Sequence, residues 1–269
     1  MTSVLLKAEL LRNVSRKGFA VLFIVLSVSF YISFNTLIEA YQQATVKPFQ
    51  DIGVHIVVQK QADNTAGRGG TVKMNGVRFP FSYEPFTKDE IDSVKNAEYI
   101  SETGSSLLLW DMSQGKFRTV TGVDFKSSIG AGQIKQWISS GRIPASRNEV
   151  VLEKHFAKFY NLKEGDVFKI ADKDFTISGR IEIKEGSQLA ASNAYILLET
   201  AQELISIPDA VNILYLKLSG NDKLADVRRN ILQSVPASSI ASSDSFLEST
   251  GSMILIAKKC QRYFRLSLL

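Results

Sequence analysis

Cysteine occurs once in these 269 residues, at Cys260, and histidine only twice, at His55 and His155. One cysteine excludes an internal disulfide, so a domain in an oxidising compartment would depend on packing alone. His55 and His155 stand far apart in sequence and have no thiols or carboxylates at metal-ligand spacing. His55 reads as part of a strand face and His155 as a helix surface residue. No window carries G-x-x-x-x-G-K-[ST], and Gly67-Arg68-Gly69-Gly70 lacks the lysine and helix start that phosphate binding needs. No two glycines stand four positions apart, which excludes the G-x-S-x-G nucleophile elbow. Glu90 with Asp92 and Asp166 with Asp172 are accounted for as capping, turn and surface charges. No residue is therefore assigned a catalytic, cofactor-binding or metal-binding role, and the chain is not expected to be an enzyme. The net charge of +5 comes from 32 basic residues among 27 acidic ones with no dense basic block, so no nucleic-acid partner is expected.

What the sequence does have is a long uncharged run. From Gly18 to Ile38 it reads GFAVLFIVLSVSFYISFNTLI. At about 1.5 Å per residue, roughly twenty residues cross a hydrocarbon core of about 30 Å. Asn35 and the serines are tolerated at the interface or against other helices, and Phe19, Phe30 and Tyr31 suit a membrane. The competing reading is a cleaved secretory signal. Its apolar region normally spans about 7–15 residues, which this run exceeds, and Glu39-Ala40-Tyr41 is a poor cleavage site. Lys7, Arg12, Arg16 and Lys17 precede the run, whereas the first charge after it is Glu39. That basic excess places the N-terminus in the cytoplasm and the residues after about Tyr41 outside. Before the run, Val4, Ala8, Leu11 and Val14 share one helical face with Glu9, Arg12, Asn13 and Arg16 opposite. This pattern predicts either an amphipathic helix at the cytoplasmic interface or a simple extension of the span.

With 45% hydrophobic residues over the full chain, there is enough apolar material to bury a core. Gly53 to Lys60 reads as a strand, and 62–70 as a polar, mobile loop. Thr87 followed by Glu90 forms a capping box for a helix through about Asn96. Ser105 to Trp110 and Phe117 to Val123 read as paired strands around a turn at 111–115. Asn148 to Leu152 reads as a strand leading into a helical pattern from Glu153 to Tyr160, with Phe156 and Tyr160 on one face. Val167 to Ala171 and Phe175 to Ile183 form a hairpin around Asp172-Lys173-Asp174. Ala194 to Leu198 and Val211 to Leu218 read as strands, Thr200 as the cap of a helix to about Ile205, and Asp222 to Gln233 as another helix. Phe79-Pro80-Phe81 and Pro85-Phe86 belong in the core more readily than on a binding surface. Near the end, the apolar Met253 to Ala257 is interrupted by Lys258, Lys259 and Arg262. It reads as the start of a second membrane segment, truncated or out of its ancestral frame; a peripheral amphipathic tail is the alternative.

The segment order, with TVTGVDFKSS, Ser140-Gly141-Arg142 and NEVVLEKHFAKFYNLKEGDVFKIADKDFTISGRIE, resembles permeases of the MacB type of ABC transporter. The related lipoprotein-release and FtsX-like permeases share the pattern. The resembling motifs are a G-x-D strand, a G-R turn, an E-V-V-L strand, a short helix, an L-x-x-G-D turn and a hairpin. The resemblance implies an α+β fold: one N-terminal transmembrane helix, then a mixed α/β extracytoplasmic domain of two subdomains. The expected organisation is a cytoplasmic amphipathic basic segment at 1–17 and a transmembrane helix at 18–38. A MacB-like core domain follows at 39–251, then the beginning of the second membrane segment at 252–269.

It further implies a permease subunit working as a homodimer or heterodimer in the cytoplasmic membrane, with no cofactor of its own. A separate cytoplasmic ABC ATPase would supply ATP hydrolysis, and the outer domain would export a substrate or act on a partner outside the membrane. The family's later cytoplasmic loop, expected to contact the ATPase, is not in this sequence. A single-span sensor or binding module is the second reading, and an anchored extracytoplasmic enzyme the third.

Overall fold

The computed structural model describes residues 14–62, 76–80, 83–183, 190–220 and 223–242. The basic segment before Val14, the loop 63–70, Phe81, Asp222 and everything from Met253 onward, Cys260 included, lie outside those residues. The chain divides into two units, Met1–Ala44 and Thr45–Leu269.

In the first unit the apolar run is helical, part of α1 (Val14–Asp51). Residues Gly18–Ala40 form a 23-residue stretch of mean hydropathy 2.1, long and apolar enough to cross a membrane, with none of it buried in the protein. Phe19, Leu22, Phe30 and Leu37 are all more than half exposed. Such a continuous apolar surface, without a polar face, suits lipid rather than water. The polar side chains in it are satisfied by their own helix. Ser27 Oγ donates to the Phe23 carbonyl at 2.7 Å, Asn35 Nδ2 to Tyr31 at 2.9 Å, and Thr36 Oγ1 to Ile32 at 2.9 Å. Bonds of this kind lower the cost of carrying polar groups into hydrocarbon.

In the second unit α1 ends at Gly53, whose φ of 67° takes the left-handed conformation that favours glycine. The Gly53 amide donates to the Gln50 carbonyl at 3.0 Å and the Val54 amide to Phe49 at 2.9 Å. These are the two bonds of a glycine-terminated helix, and Phe49 and Val54 pack in the same apolar cluster.

The chain then builds one mixed sheet. Its strands are β1 (Ile56–Lys60), β2 (Val77–Arg78), β3 (Ile100–Asp111), β4 (Arg118–Val123), β5 (Ile138–Gly141), β6 (Glu149–Glu153), β7 (Val167–Ile170), β8 (Lys173–Ile181), β9 (Ala194–Leu197), β10 (Ile213–Leu218) and β11 (Ser238–Ser242). The spatial order is β11-β1-β10-β3-β4-β9-β6-β8-β5, with β2 beside β3 and β7 beside β8. Pairs β4 with β9 and β6 with β8 are parallel; the other pairs are antiparallel. The two groups of elements seen in the sequence are thus wings of one sheet, joined along the long strand β3. At the junction, Ser106 pairs with Ile213 of β10 on one side and Val123 of β4 on the other. Its hydroxyl donates to the Tyr215 phenol at 3.2 Å, and burial pushes that phenol up to about 12.

Helices cover the sheet according to their apolar spacing. In α2 (Lys88–Lys95) Ile91 and Val94 are buried. They share a cluster with Leu224, Val227 and Ile231 of α5 (Leu224–Ser234) and with Ile56, Val58, Leu214 and Leu216 of the sheet. The capping box at α2 is as the spacing predicts: Thr87 Oγ1 accepts from the Glu90 amide at 3.3 Å, and Glu90 Oε2 from the Thr87 amide at 2.7 Å. On the second wing, α3 (Lys154–Phe159) and α4 (Leu198–Ile205) flank a cluster around Leu107, Val120, Val150, Leu152 and Phe175. Strand β6 lies between β8 and β9 with Val150, Val151 and Leu152 all fully buried, which accounts for its unbroken apolar run.

Thr200 departs from expectation. The helix begins at Leu198 with Leu197 at its cap, and Thr200 is a buried residue inside its first turn. Apolar packing of Ala201 against Gly122, where a Cβ on the glycine would lie 2.4 Å from that of Ala201, fixes the helix one turn earlier than the capping pattern suggested.

Candidate functional site

The residues of the G-R, E-V-V-L and L-x-x-G-D motifs meet at the outer end of the second wing. Gly141 has φ of 71°, and a Cβ there would come within 2.4 Å of the Ser178 carbonyl oxygen. A Cβ on Gly179 would come within 2.6 Å of the Arg142 carbonyl oxygen. Two glycines therefore allow β5 and β8 to approach backbone to backbone. Arg142 then reaches Glu149, and Arg180 pairs with Glu164 at 3.0 Å. Serine 140, Glu164 and Arg180 form one hydrogen-bonded group, in which Ser140 Oγ donates to Glu164 Oε1 and accepts from Arg180 Nε at 3.0 Å. These contacts tie turns together and leave no free reactive group, so this corner is architecture.

A second corner has a different character. The β3–β4 turn is held by Asp111 and Arg118, whose charged atoms Oδ2 and Nη2 stand 2.5 Å apart with both side chains almost fully buried. Ser113 joins them: its amide donates to Asp111 Oδ1 and its hydroxyl accepts from Arg118 Nη2, each at 2.9 Å. The guanidinium lies over the Phe168 ring at 5.0 Å. Arg118 Nε has no hydrogen-bond partner among the described residues.

Above this pair lies a cavity of about 430 Å³. The β3–β4 turn contributes Lys116, the start of β4 Arg118, α3 Phe156 with Tyr160 at its C-terminal cap, and β7 Phe168 and Lys169. No carboxylate lines it. The rings pack on one another, Phe156 tilted against Tyr160 at 4.8 Å and edge to face with Phe168 at 5.9 Å, and Lys116 Nζ sits 5.0 Å from the Tyr160 ring centre. Val167, 60% exposed, is part of the lining, and Phe159, 80% exposed, packs edge to face on the lining residue Tyr160 at 5.0 Å. Large apolar side chains so exposed beside an aromatic cavity are the composition of an interaction surface.

The residues singled out from sequence sit elsewhere. His55 lies just before β1, its Nδ1 accepting from the Leu218 amide at 2.9 Å, and His155 lies on exposed α3 beside Glu153 at 2.8 Å. Glu90 is consumed by its cap and by Lys60 at 2.9 Å; Asp166 caps the Lys163 amide at 2.8 Å. Phe79 and Phe86 are buried. The helical spacing of Phe156 and Tyr160 did indicate a shared face. The signal for the remainder was a lysine followed by two adjacent aromatic residues, Lys158-Phe159-Tyr160, at a helix end.

Residues 18–234 match the model of the MacB-like periplasmic core domain, which covers most of the chain, and the chain belongs to that family. It is a mixed α/β domain of the MacB periplasmic-core type, the domain of ABC transporter permeases, preceded by an apolar helix. No curated protein matches the chain by sequence. Solved structures similar to it include the following two. One is the extracellular domain of the noncanonic ABC-type transporter YknZ from Gram-positive bacteria, at 11% identity over 70% of this chain and 100% of that chain, with a TM-score of 0.46. The other is the periplasmic region of MacB from Actinobacillus actinomycetemcomitans, at 15% identity over 76% of this chain and 95% of that chain, with a TM-score of 0.47.

Proposed function

We propose that this chain is the membrane subunit, or the N-terminal portion of the membrane subunit, of an ABC transporter of the MacB and FtsX-like kind. A separate cytoplasmic ATPase drives it, and it works as a dimer of permeases. The single observation that carries this reading is the family match that spans from Gly18, the first residue of the apolar run, to Ser234 in the folded domain. In this reading residues 18–38 cross the cytoplasmic membrane, 1–17 lie in the cytoplasm and 39–251 lie outside. Residues 252–269 begin a second membrane segment. The charge asymmetry around the run supports this orientation. ATP binding and hydrolysis inside would bias a two-state arrangement of the membrane helices, and the outer domains would report that state to a substrate or partner. The domain's part is mechanical: it presents a surface and transmits force, and its own residues perform no bond chemistry.

Purification of the tagged chain from solubilised membranes of its native cell tests the proposal. Co-purification of an ABC-type ATPase, with hydrolysis changed when the chain is removed, is expected. Recovery of the chain without any such ATPase, together with retained ligand binding by the outer domain, would favour a single-span binding module instead.

A further inference from the structure

We infer that the cavity between the β3–β4 turn and the α3–β7 corner is a docking site for an extended, acidic and apolar segment of a protein outside the membrane. The inference rests on the extracytoplasmic placement proposed above only for where that partner is found.

Charge is the first argument. Lys116, Arg118 and Lys169 line the cavity and no carboxylate does. The Asp111 carboxylate already balances Arg118 from within the turn, which leaves Lys116 and Lys169 as the excess at the mouth. Lys169 Nζ has Asp174 at 3.5 Å, but both side chains are more than half exposed, and such a pair is exchanged readily for another anion. Below them the buried Arg118 Nε has no acceptor among the described residues. A carboxylate at this mouth gains charge-assisted bonds that water supplies less well.

Apolar surface is the second argument. The cavity holds about 430 Å³, room for an apolar side chain against Tyr160 and Phe168. The exposed Val167 in the lining and Phe159, packed on Tyr160 at 5.0 Å, extend the apolar surface beyond what a small free anion would cover. Area of that extent, aromatic at its centre and cationic at its margin, is the composition of a protein interface.

Strand geometry is the third. Among the described residues, strand β7 has β8 as its only strand partner. Its opposite edge, Val167–Ile170, is therefore open to an added strand, and alternate side chains of that strand would fall into the cavity. Lys169 on this edge opposes self-pairing and favours an acidic strand.

Fluorescence anisotropy on the full chain in detergent, with no ATPase present, tests this. The probes are labelled, end-capped pentapeptides Thr-X-Z-X-Thr, with X glutamate or aspartate and Z phenylalanine, leucine or valine. A second set carries glutamine or asparagine at X, and vesicles of anionic phospholipid serve as the alternative occupant. Saturable binding of acidic probes is expected, weakened at least tenfold by Lys116→Glu with Lys169→Glu, by Phe159→Ser, and in the neutral probe set. Circular dichroism confirms that these exposed substitutions leave the fold unchanged. Equal binding of neutral probes, unchanged binding by the charge-reversed chain, no saturable binding of any acidic probe, or binding of vesicles alone would each overturn the inference. Because no ATPase is present, a negative result here leaves the ATP-coupled reading standing, and absence of an ATPase partner leaves this one standing.

Discussion

Arg142 and Glu149 face one another across the turn between β5 and β6 in a two-pronged ion pair, with Nη1 to Oε2 at 2.7 Å and Nη2 to Oε1 at 2.6 Å. Glu149 Oε2 also accepts from the Ala145 amide at 2.8 Å, closing the turn from its other side. The arginine first, and the backbone amides after it, outweigh partial burial and hold the Glu149 carboxyl down to about 2.

That shift predicts a pH dependence. The folded carboxyl titrates below the unfolded one, at about 4.3, so the pair's stabilisation is complete above that value and is lost as pH falls toward about 2. Glu149→Gln should lower the melting temperature at neutral pH, by a cost of about 1–2 kcal/mol given the exposure of Arg142. The gap between variant and parent should close through this acid window. Thermal unfolding followed by circular dichroism at several pH values checks it; two parallel curves would contradict the assignment.

The glycine pair gives a second expectation. Gly179→Ala forces a Cβ against the Arg142 carbonyl oxygen and must shift β5 away from β8, at about 1–3 kcal/mol. The same shift should disturb the Arg142 clamp, so this variant should also lose acid sensitivity. Gly165→Ala, at φ of 87° with open space around it, should cost about 1–2 kcal/mol through backbone strain alone and keep the parental pH profile. Urea unfolding across the same pH range separates the two.

Asp111 and Arg118 are both buried, and removal of one leaves the other charge uncompensated. Asp111→Asn should destabilise the domain by about 3–5 kcal/mol. Asp111→Leu combined with Arg118→Met should recover a substantial part of that loss, because both buried charges are gone. A double-mutant cycle in urea measures the coupling, and simple additivity would count against it.

The wings of the sheet were legible in the sequence because strands such as Asn148 to Leu152 and Val211 to Leu218 are apolar runs bounded by turn residues. The capping box at Thr87 and Glu90 was legible because both partners are local. What was not legible is the joining of the wings through Ser106, since that pairing is set by residues more than a hundred positions apart. Two short 3₁₀ helices, Ser113–Gly115 and Gly130–Trp137, also escaped notice. The second of them is fixed by tertiary contact, with the Gly130 amide donating to the Ile52 carbonyl at 2.7 Å. Thr200 shows the reverse failure, a good cap by type overruled by apolar packing. The cationic, aromatic corner was half visible: Phe156 and Tyr160 shared a face, but their meeting with Lys116 and Lys169 depends on the fold.

The membrane assignment predicts sensitivity to charge in the middle of the run. Val25→Lys with Val28→Lys adds two charges, each costing about 2.5–3.5 kcal/mol at a helix centre. The chain should pass from the carbonate-resistant membrane fraction to the soluble one. Gly18→Leu, at the end of the run, should remain in the membrane.

Topology tests the central claim most directly. In a Cys260→Ser background, Asp172→Cys puts a thiol on the exposed β7–β8 turn. A membrane-impermeant maleimide added to intact spheroplasts should label it to the same extent before and after lysis. Labelling that appears only after lysis would place the folded domain in the cytoplasm and contradict the account.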